Sequence, residues 1–481
     1  MTATGNLPLV ELPDEVSVIN VGLPLFGDSI SRQERPVSQV DWRIPAGGDA
    51  DVVSALRRLY GPWAHTIDSA NAEVFERLDR GAPQLVAVRQ AQQVIESLAE
   101  GRVLLHCGPP IELDRISDPL RRSMRAAIVA EDWAATPEDA DELLVDGSVR
   151  LESANSYGVV VPMATAMGPQ TPVWEVELAD AGIRVYTPLG QGSGDVAWFG
   201  KDSPGAINRL LLLRDAAGTV LNEALQAYGP VDVLSLAAQA VAMGDDIHVR
   251  TQAATNLLLK NLLSSLVDVD HPRKVEVADY LSGNHLLFLT LAMAAARALT
   301  TWAAEVPNSS VVMGISRNGT DFACWLGGPE ATRHLTQAPM VDNALYQPGY
   351  SDADAALDIG DSAVLELVGL GGAAAANSPA VAQLVGGTMG HAAAMTEAIN
   401  EVTIGRSSRF MLPYWGMQGS PVGVDVRKVV ELGITPQVTT GILHNSDGTG
   451  QIGAGVATAP VEPFIDALKE LDKTFARRSS A

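Results

Sequence analysis

Residues 15–45 read EVSVINVGLPLFGDSISRQERPVSQVDWRIP, and their order decides the fold class. VSVINVG (16–22) is a short β-branched run ending in glycine, LFGDSISRQ (25–33) can start a helix, and PVSQVDW (36–42) is a second β-run. Strand, helix, strand opens a parallel α/β layer, because parallel neighbours need a crossover between them. Further on, HTIDSANAEVFERL (65–78) and VAVRQAQQVIESLAE (86–100) read as helices. RVLLHCGPP (102–110) reads as a buried strand stopped by Gly and Pro. The expected fold is α/β, with an N-terminal Rossmann-like parallel-sheet domain over residues 1–145.

The pattern then changes. YGVVVPMATAMGPQTPVWEVEL and IRVYTPLGQGSGDVAWFG are short β-like pieces rich in Gly and Pro, which marks 146–230 as a mixed α+β segment. A helical segment is expected over 231–305, and a C-terminal α+β domain over 306–481 that ends on the amphipathic helix VEPFIDALKELDKTFARR.

The chain has 481 residues, with 57 Asp and Glu against 33 Lys and Arg, a formal net charge of -24. Such a surface repels phosphate backbones and anionic lipid, so nucleic acid and membrane are not expected partners. A small anionic substrate would need a local pocket built from a few arginines. The two cysteines, Cys107 and Cys324, form neither a disulfide framework nor a CxxC pair, which suits a reducing compartment. MTATGNLPLVELPDE lacks the basic and apolar parts of a signal peptide, and the most apolar windows carry too many polar residues to span a bilayer. The expected location is the cytoplasm.

Candidate chemistry lies where polar residues interrupt apolar runs. MGDDIHVRTQAAT (243–255) stands between VDVLSLAAQAVA and NLLLKNLLSSLV, flanks that read as buried helix. As a helix it would bring Asp245, Asp246, His248 and Arg250 together through three- and four-residue spacings. The plainer reading is a helix break at Gly244, with Asp245 capping the next helix and an Asp246–Arg250 surface pair. Asn284 and His285 open the apolar helix LSGNHLLFLTLAMAAARAL, where a cap and a satisfied core histidine are the simpler roles. In SRNGTDF (316–322), Asn318-Gly319 signals a turn that would hold Arg317, Asn318 and Asp321 at a strand's end, either as a plain hairpin or as a ligand site.

GDSAVLELVGLGGAAAANSPAVAQLVGG (360–387) reads as a β-like run, then Gly369, Gly371 and Gly372, then an alanine-rich helix. Free amides at such a helix start can hold an anion. The GTGQIGAG match to G-x-G-x-x-G at 448–455 is followed by VATAPVEP rather than a helix, so it is no dinucleotide signature. Walker A, HExxH and GxSxG motifs are absent from the sequence.

Taken in order, VINVGLPLFGDS with VDWRIPAGGD, HCGPPIE, EDWAATPEDA, MGDDIHVRTQAAT, SGNHLLFL, SRNGTDF, GLGG with VGGT, VGVDVRKVVE and GQIGAG resemble the YlbE/AllG-like proteins. The resemblance spans roughly residues 14–470. It implies one subunit of an assembly, found with an FdrA-like protein, and so an oligomer. It also implies oxamate carbamoyltransferase activity, in which a carbamoyl group passes from oxalurate to phosphate. The family pattern has Cys, Asn and Asn where this chain has Ile247, Val249 and Thr251.

Carbamoyl transfer to phosphate needs neither a metal nor a redox cofactor, and none is expected. It needs clamps for two anions, donors to a carbonyl oxygen and an acid/base. Arg250 and Arg317 are the expected clamps and the Gly369–Gly372 amides the expected oxyanion donors. His248 is the expected acid/base, oriented by Asp245 or Asp246. Asn284, His285, Asn318 and Asp321 complete the expected anion-binding set. Two alternatives stay open: an amidohydrolase or acyltransferase on another carbamoylated compound, and a non-catalytic nucleotide- or CoA-type ligand-binding partner of an FdrA-like subunit.

Overall fold

The computed structural model describes residues 17–40, 44–328 and 331–479. The signal-peptide reading of residues 1–15 lies outside them, as do Val16 and the Asp41–Trp42 end of the second β-run.

β1 (Val18–Val21) and β2 (Val37–Val40) pair in parallel, Val18 opposite Val37, with the helix Pro24–Ser31 as crossover. The opening stretch folds as its order implies. The parallel layer does not grow beyond these two strands, however, because the next strand goes elsewhere. VAVRQ, expected to be helical, belongs to β3 (Gln84–Gln90), followed by two short 3-10 turns.

The strands that follow are β4 (Val103–His106), β5 (Arg150–Ser153), β6 (Ala166–Met167), β7 (Pro172–Leu178), β8 (Ile183–Pro188) and β9 (Val231–Asp232). β3 is antiparallel to both β7 and β9 in a sheet of order β8-β7-β3-β9. β4 pairs with β5 in parallel and with β6 antiparallel. The fold is thus mixed α/β, and the expected Rossmann-like sheet is replaced by small mixed sheets. The Ala, Gln and Glu around residues 91–100 favour helix locally, but pairing of Leu85 with Val176 and Val88 with Trp174 buries more apolar surface. That sheet joins strands from both sides of residue 145.

Helices dominate 204–304, beginning inside the 146–230 stretch read as mixed α+β. Helix Leu287–Ala304 is buried almost all round, from Phe288 through Ala296 to Ala303. It packs on β7, β8 and the sheet described next. No single helix among the described residues is long and apolar enough to cross a membrane.

Beyond it come β10 (Val312–Asn318), β11 (Asp321–Leu326), β12 (His334–Gln337), β13 (Asp342–Tyr346) and β14 (Ile359–Gly360). β10 and β11 form the hairpin that Asn318-Gly319 signals, in a sheet of order β12-β11-β10-β14. The expected β-run after Gly360 is instead a 3-10 helix, Ser362–Val368. Gly369 ends it at φ +89°, and a second 3-10 helix, Gly371–Asn377, stands where a regular alanine-rich helix was expected. Both 3-10 segments are wholly buried, so a half-exposed strand or surface helix has no place there. β15 (Thr403–Leu412) and β16 (Gln418–Val424) form a ribbon, and β17 (Gln437–Leu443) and β18 (Gln451–Thr458) a sheet with β13. The glycines of GTGQIGAG lie in a turn and in β18, and the terminal helix spans Glu462–Ser479.

Candidate functional site

The segment 243–251 is a loop between helices Val233–Ala242 and Gln252–Asp268. Gly244, at φ +98°, ends the first helix, as the plainer reading requires. Asp245 caps the second through Oδ2, which accepts the Ala254 amide at 2.9 Å.

Asp246 departs from both readings. It is fully buried and makes no surface pair with the Arg250 guanidinium. Its carboxylate accepts the main-chain amides of Val249 (3.3 Å) and Arg250 (2.8 Å), its carbonyl accepts the Gly371 amide (2.7 Å), and Thr439 Oγ1 donates to it at 3.3 Å. Arg250 turns back instead, with Nε 3.6 Å from Asp245 Oδ1 and its side chain 37% exposed. Ile247 is held at φ +68° although buried. A β-branched residue in that region is strained, and the contacts of Asp246 on either side maintain it.

This loop turns His248 inward. Its Nδ1 lies 3.0 Å from Glu366 Oε1, and both side chains are buried. Glu366, not Asp245 or Asp246, therefore orients His248. Glu366 Oε2 accepts the Gly372 amide, and the Ala373 amide also donates to the carboxylate. The Gly369 amide bonds to Leu365 O and that of Gly371 to Asp246 O. The expected anion cradle at Gly369, Gly371 and Gly372 is thus already filled by the protein's own acceptors.

Burial holds His248 down to about 4; Asp246 opposes this and Arg317 adds to it. Burial and then Asp246 push Glu366 well above the usual carboxyl range, against the two amides. Burial also raises Asp246. Both shifts favour the uncharged forms of the imidazole and the carboxyl group, which face each other through Nδ1 and Oε1. Among the described residues the His248 ring is hydrogen-bonded through Nδ1 alone, leaving Nε2 open.

Arg317 lies close enough to His248 to affect its titration, but its fork is taken. Nε and Nη2 donate to Asp358 at 2.7 and 3.2 Å, and Nη1 to Gly360 O at 2.5 Å. Thr440 Oγ1 donates to the same carboxylate at 3.2 Å. Arg317 is fully buried and is an internal tie rather than an open clamp. Asn318 donates to Pro109 O and accepts the Thr320 and Asp321 amides, while Asp321 pairs with Arg115 at 2.6 Å. They fasten the HCGPP loop to the hairpin. Asn284 bonds to Gly190 O and the Leu286 amide, and the His285 carbonyl accepts from Thr251 and Thr255. These two residues brace the loop from outside the His248 network.

Three acids central to this region were not read from sequence: Glu366, Asp358 and Asp361. Asp361 is buried and accepts from the Gly108 amide, Asn155 Nδ2 and the Val161 amide. The signal available for Glu366 was a lone carboxylate inside the apolar run VLELVG. Among the described residues no three His, Cys, Asp or Glu side chains gather as a metal site would require.

The family described as oxamate carbamoyltransferase subunit AllG matches residues 149–362, a span that holds the 243–251 loop, Arg317, Asp358 and Asp361. Over 410 residues the chain is 35% identical to the oxamate carbamoyltransferase subunit AllG of Escherichia coli (strain K12), covering 84% of this chain and 98% of that one. The chain belongs to the AllG family. A second relative, the uncharacterized protein YahG of the same organism, is 30% identical over 456 residues, 94% of this AllG-family chain and 96% of its own. A crystal structure of a conserved protein of unknown function from Enterococcus faecalis V583 superposes with a TM-score of 0.81 at 31% identity, covering 84% of this chain and 97% of that one. The AllG relationship ties the chain to a transferase named for oxamate and carbamoyl groups, and to a protein that is by name one subunit of an assembly.

Proposed function

We propose that this chain is a carbamoyltransferase subunit that moves a carbamoyl group between an oxalurate-like ureido acid and phosphate, with His248 and Glu366 as its proton relay. The observation that carries this reading is the buried contact of His248 Nδ1 with Glu366 Oε1 at 3.0 Å, close to Asp246 and backed by the Gly372 amide. In the forward step a phosphate oxygen forms a bond to the carbamoyl carbon and the bond to the oxamate nitrogen breaks. That nitrogen takes the proton on His248 Nε2, and Nδ1 takes the Glu366 proton in the same movement. Glu366 becomes a carboxylate on the Gly372 and Ala373 amides, which are already aimed at it. The proton lost by monohydrogen phosphate returns to the pair, so the relay ends as it began.

The near-complete burial of His248 and Glu366 limits competition by water, which supports transfer to phosphate rather than hydrolysis. The AllG relative's name as a subunit supports an assembly, and an FdrA-like protein is the proposed partner. The test is oxalurate breakdown by the chain, alone and mixed with an FdrA-like protein, with and without phosphate. Phosphate-dependent release of oxamate and carbamoyl phosphate is expected, and is expected to be lost in His248→Asn. Breakdown that proceeds equally without phosphate would replace this reading with an amidohydrolase.

A further inference from the structure

A second polar cluster lies on the sheet face covered by helix Leu287–Ala304. Arg297 of that helix and Arg333, just before β12, each place their guanidinium carbon 5.3 Å from the centre of the Trp325 ring. Trp325 lies flat on Gly314, its partner in β10: a Cβ at 314 would fall 1.8 Å from the ring, so only glycine admits this packing. Strand register places Ser316, opposite Ala323, on the same face as Trp325.

The donors here are unspent. Among the described residues neither Arg297 nor Arg333 has an ion-pair or hydrogen-bond partner for its guanidinium, and the buried Arg297 Nε is unsatisfied. Ser316 is 1% exposed and its Oγ has no partner. Burial, with repulsion from Arg333, holds Arg297 down to about 10, against the pull of Asp361. Asp361 cannot neutralise the pair by contact, because its oxygens serve Gly108, Asn155 and Val161. Arg297 and Arg333 are both half-buried, and two such cations side by side with no carboxylate in contact among the described residues are unfavourable without an anion, in a chain whose net charge is -24. Two guanidinium forks and a hydroxyl on an aromatic floor suit a small oxyanion.

We propose that Arg297, Arg333 and Ser316, floored by Trp325, form a receptor for a small oxyanion, either free phosphate or the carboxylate of an organic acid. The receptor lies within electrostatic range of Asp361, which Arg317 also influences. It does not depend on the proposed relay being catalytic, because binding can be read without turnover.

The full chain labelled with 5-fluorotryptophan gives a fluorine resonance for Trp325, assigned by Trp325→Phe. Inorganic phosphate and oxamate are titrated separately, with chloride at matched ionic strength as control. A saturable shift of the Trp325 signal with phosphate identifies the free anion, and one with oxamate the carboxylate. At least a tenfold loss of affinity is expected in Arg333→Gln and in Arg297→Lys, with the shift kept in His248→Asn. Should Arg297→Lys fail to fold, Arg333→Gln, at a half-buried strand start, decides alone. No saturable shift with either anion, unchanged affinity in the arginine variants, or loss of the shift in His248→Asn would overturn the proposal.

Discussion

His248 Nδ1 stands 3.0 Å from Glu366 Oε1 across 118 residues of sequence, and neither side chain is open to solvent. The two are held by one set of main-chain bonds. Gly371 donates to the Asp246 carbonyl and Gly372 to the Glu366 carboxylate, so consecutive amides fix both halves of the site. Glycine at 371 is needed, since its φ is +60° and a Cβ would meet Glu366 Oε1 at 2.2 Å. The arrangement holds an imidazole and a carboxyl group together where little solvent reaches them.

The relay predicts a specific failure in Glu366→Gln. The amide keeps the size of the carboxyl group and can still donate to Nδ1, so the fold is retained. It cannot hand over a proton, so kcat should fall by about 10²–10⁴ with little change in KM. The wild-type rate should fall as pH rises through the raised Glu366 value, because the proton that moves is then gone. A Glu366→Gln enzyme with wild-type kcat would remove Glu366 from the relay.

Arg317 and Asp358 form a buried ion pair with side chains 0% and 1% exposed. Removing one partner leaves the other charge uncompensated, so Arg317→Met or Asp358→Leu alone should cost about 3–5 kcal/mol. The double variant should recover most of that loss in urea unfolding. If the single variants lose activity without losing stability, Arg317 acts on substrate and the tie is secondary.

Glu131 gives a pH signature away from the proposed site. It is buried over Gln170, whose amide lies 3.0 Å from both its oxygens, and burial raises its carboxyl to about 7. With the folded value above the unfolded one, the folded state binds the proton more tightly. Its contribution is present in full below the ordinary carboxyl value and is lost as pH rises through 7. Glu131→Gln should therefore gain on wild type by up to about 3 kcal/mol between pH 5 and 8, measured as unfolding free energy. A difference that does not vary with pH would show that Glu131 does not titrate in this range.

What sequence reveals here depends on the range of the interaction. The Asn318-Gly319 hairpin, the β1–β2 crossover and the break at Gly244 rest on contacts within a few residues, so turn chemistry and β-branching expose them. β3 was misread because its partner β7 lies more than 80 residues on, and nothing local to VAVRQ announces that pairing. His248, Asp246 and Arg317 stood out as polar groups in apolar flanks. Glu366 did not, because one glutamate between Leu365 and Leu367 also fits the exposed side of a strand. The GLGG amides looked free because the acceptors that fill them, on Asp246 and Glu366, are supplied by the tertiary fold.

Gly372 tests whether that filling positions the site. A Cβ there would fall 2.3 Å from Gln437 O, part of the β17 backbone, and 2.5 Å from Met395 Cε. A side-chain tip can move, whereas a carbonyl in the backbone of a paired strand is held by its neighbours, so the 3-10 segment must shift instead. Gly372→Ala should destabilise the protein by about 1–3 kcal/mol and draw its amide away from Glu366. The shift should appear as faster exchange of the Gly372-site amide and as a fall in kcat like that of Glu366→Gln. Gly283 is the control: a Cβ there meets nothing within 4 Å, so Gly283→Ala should change stability by less than about 0.5 kcal/mol. If Gly372→Ala lowers stability yet leaves kcat intact, the amide supports the fold without setting the relay, and the role given to it in holding the Glu366 carboxylate fails.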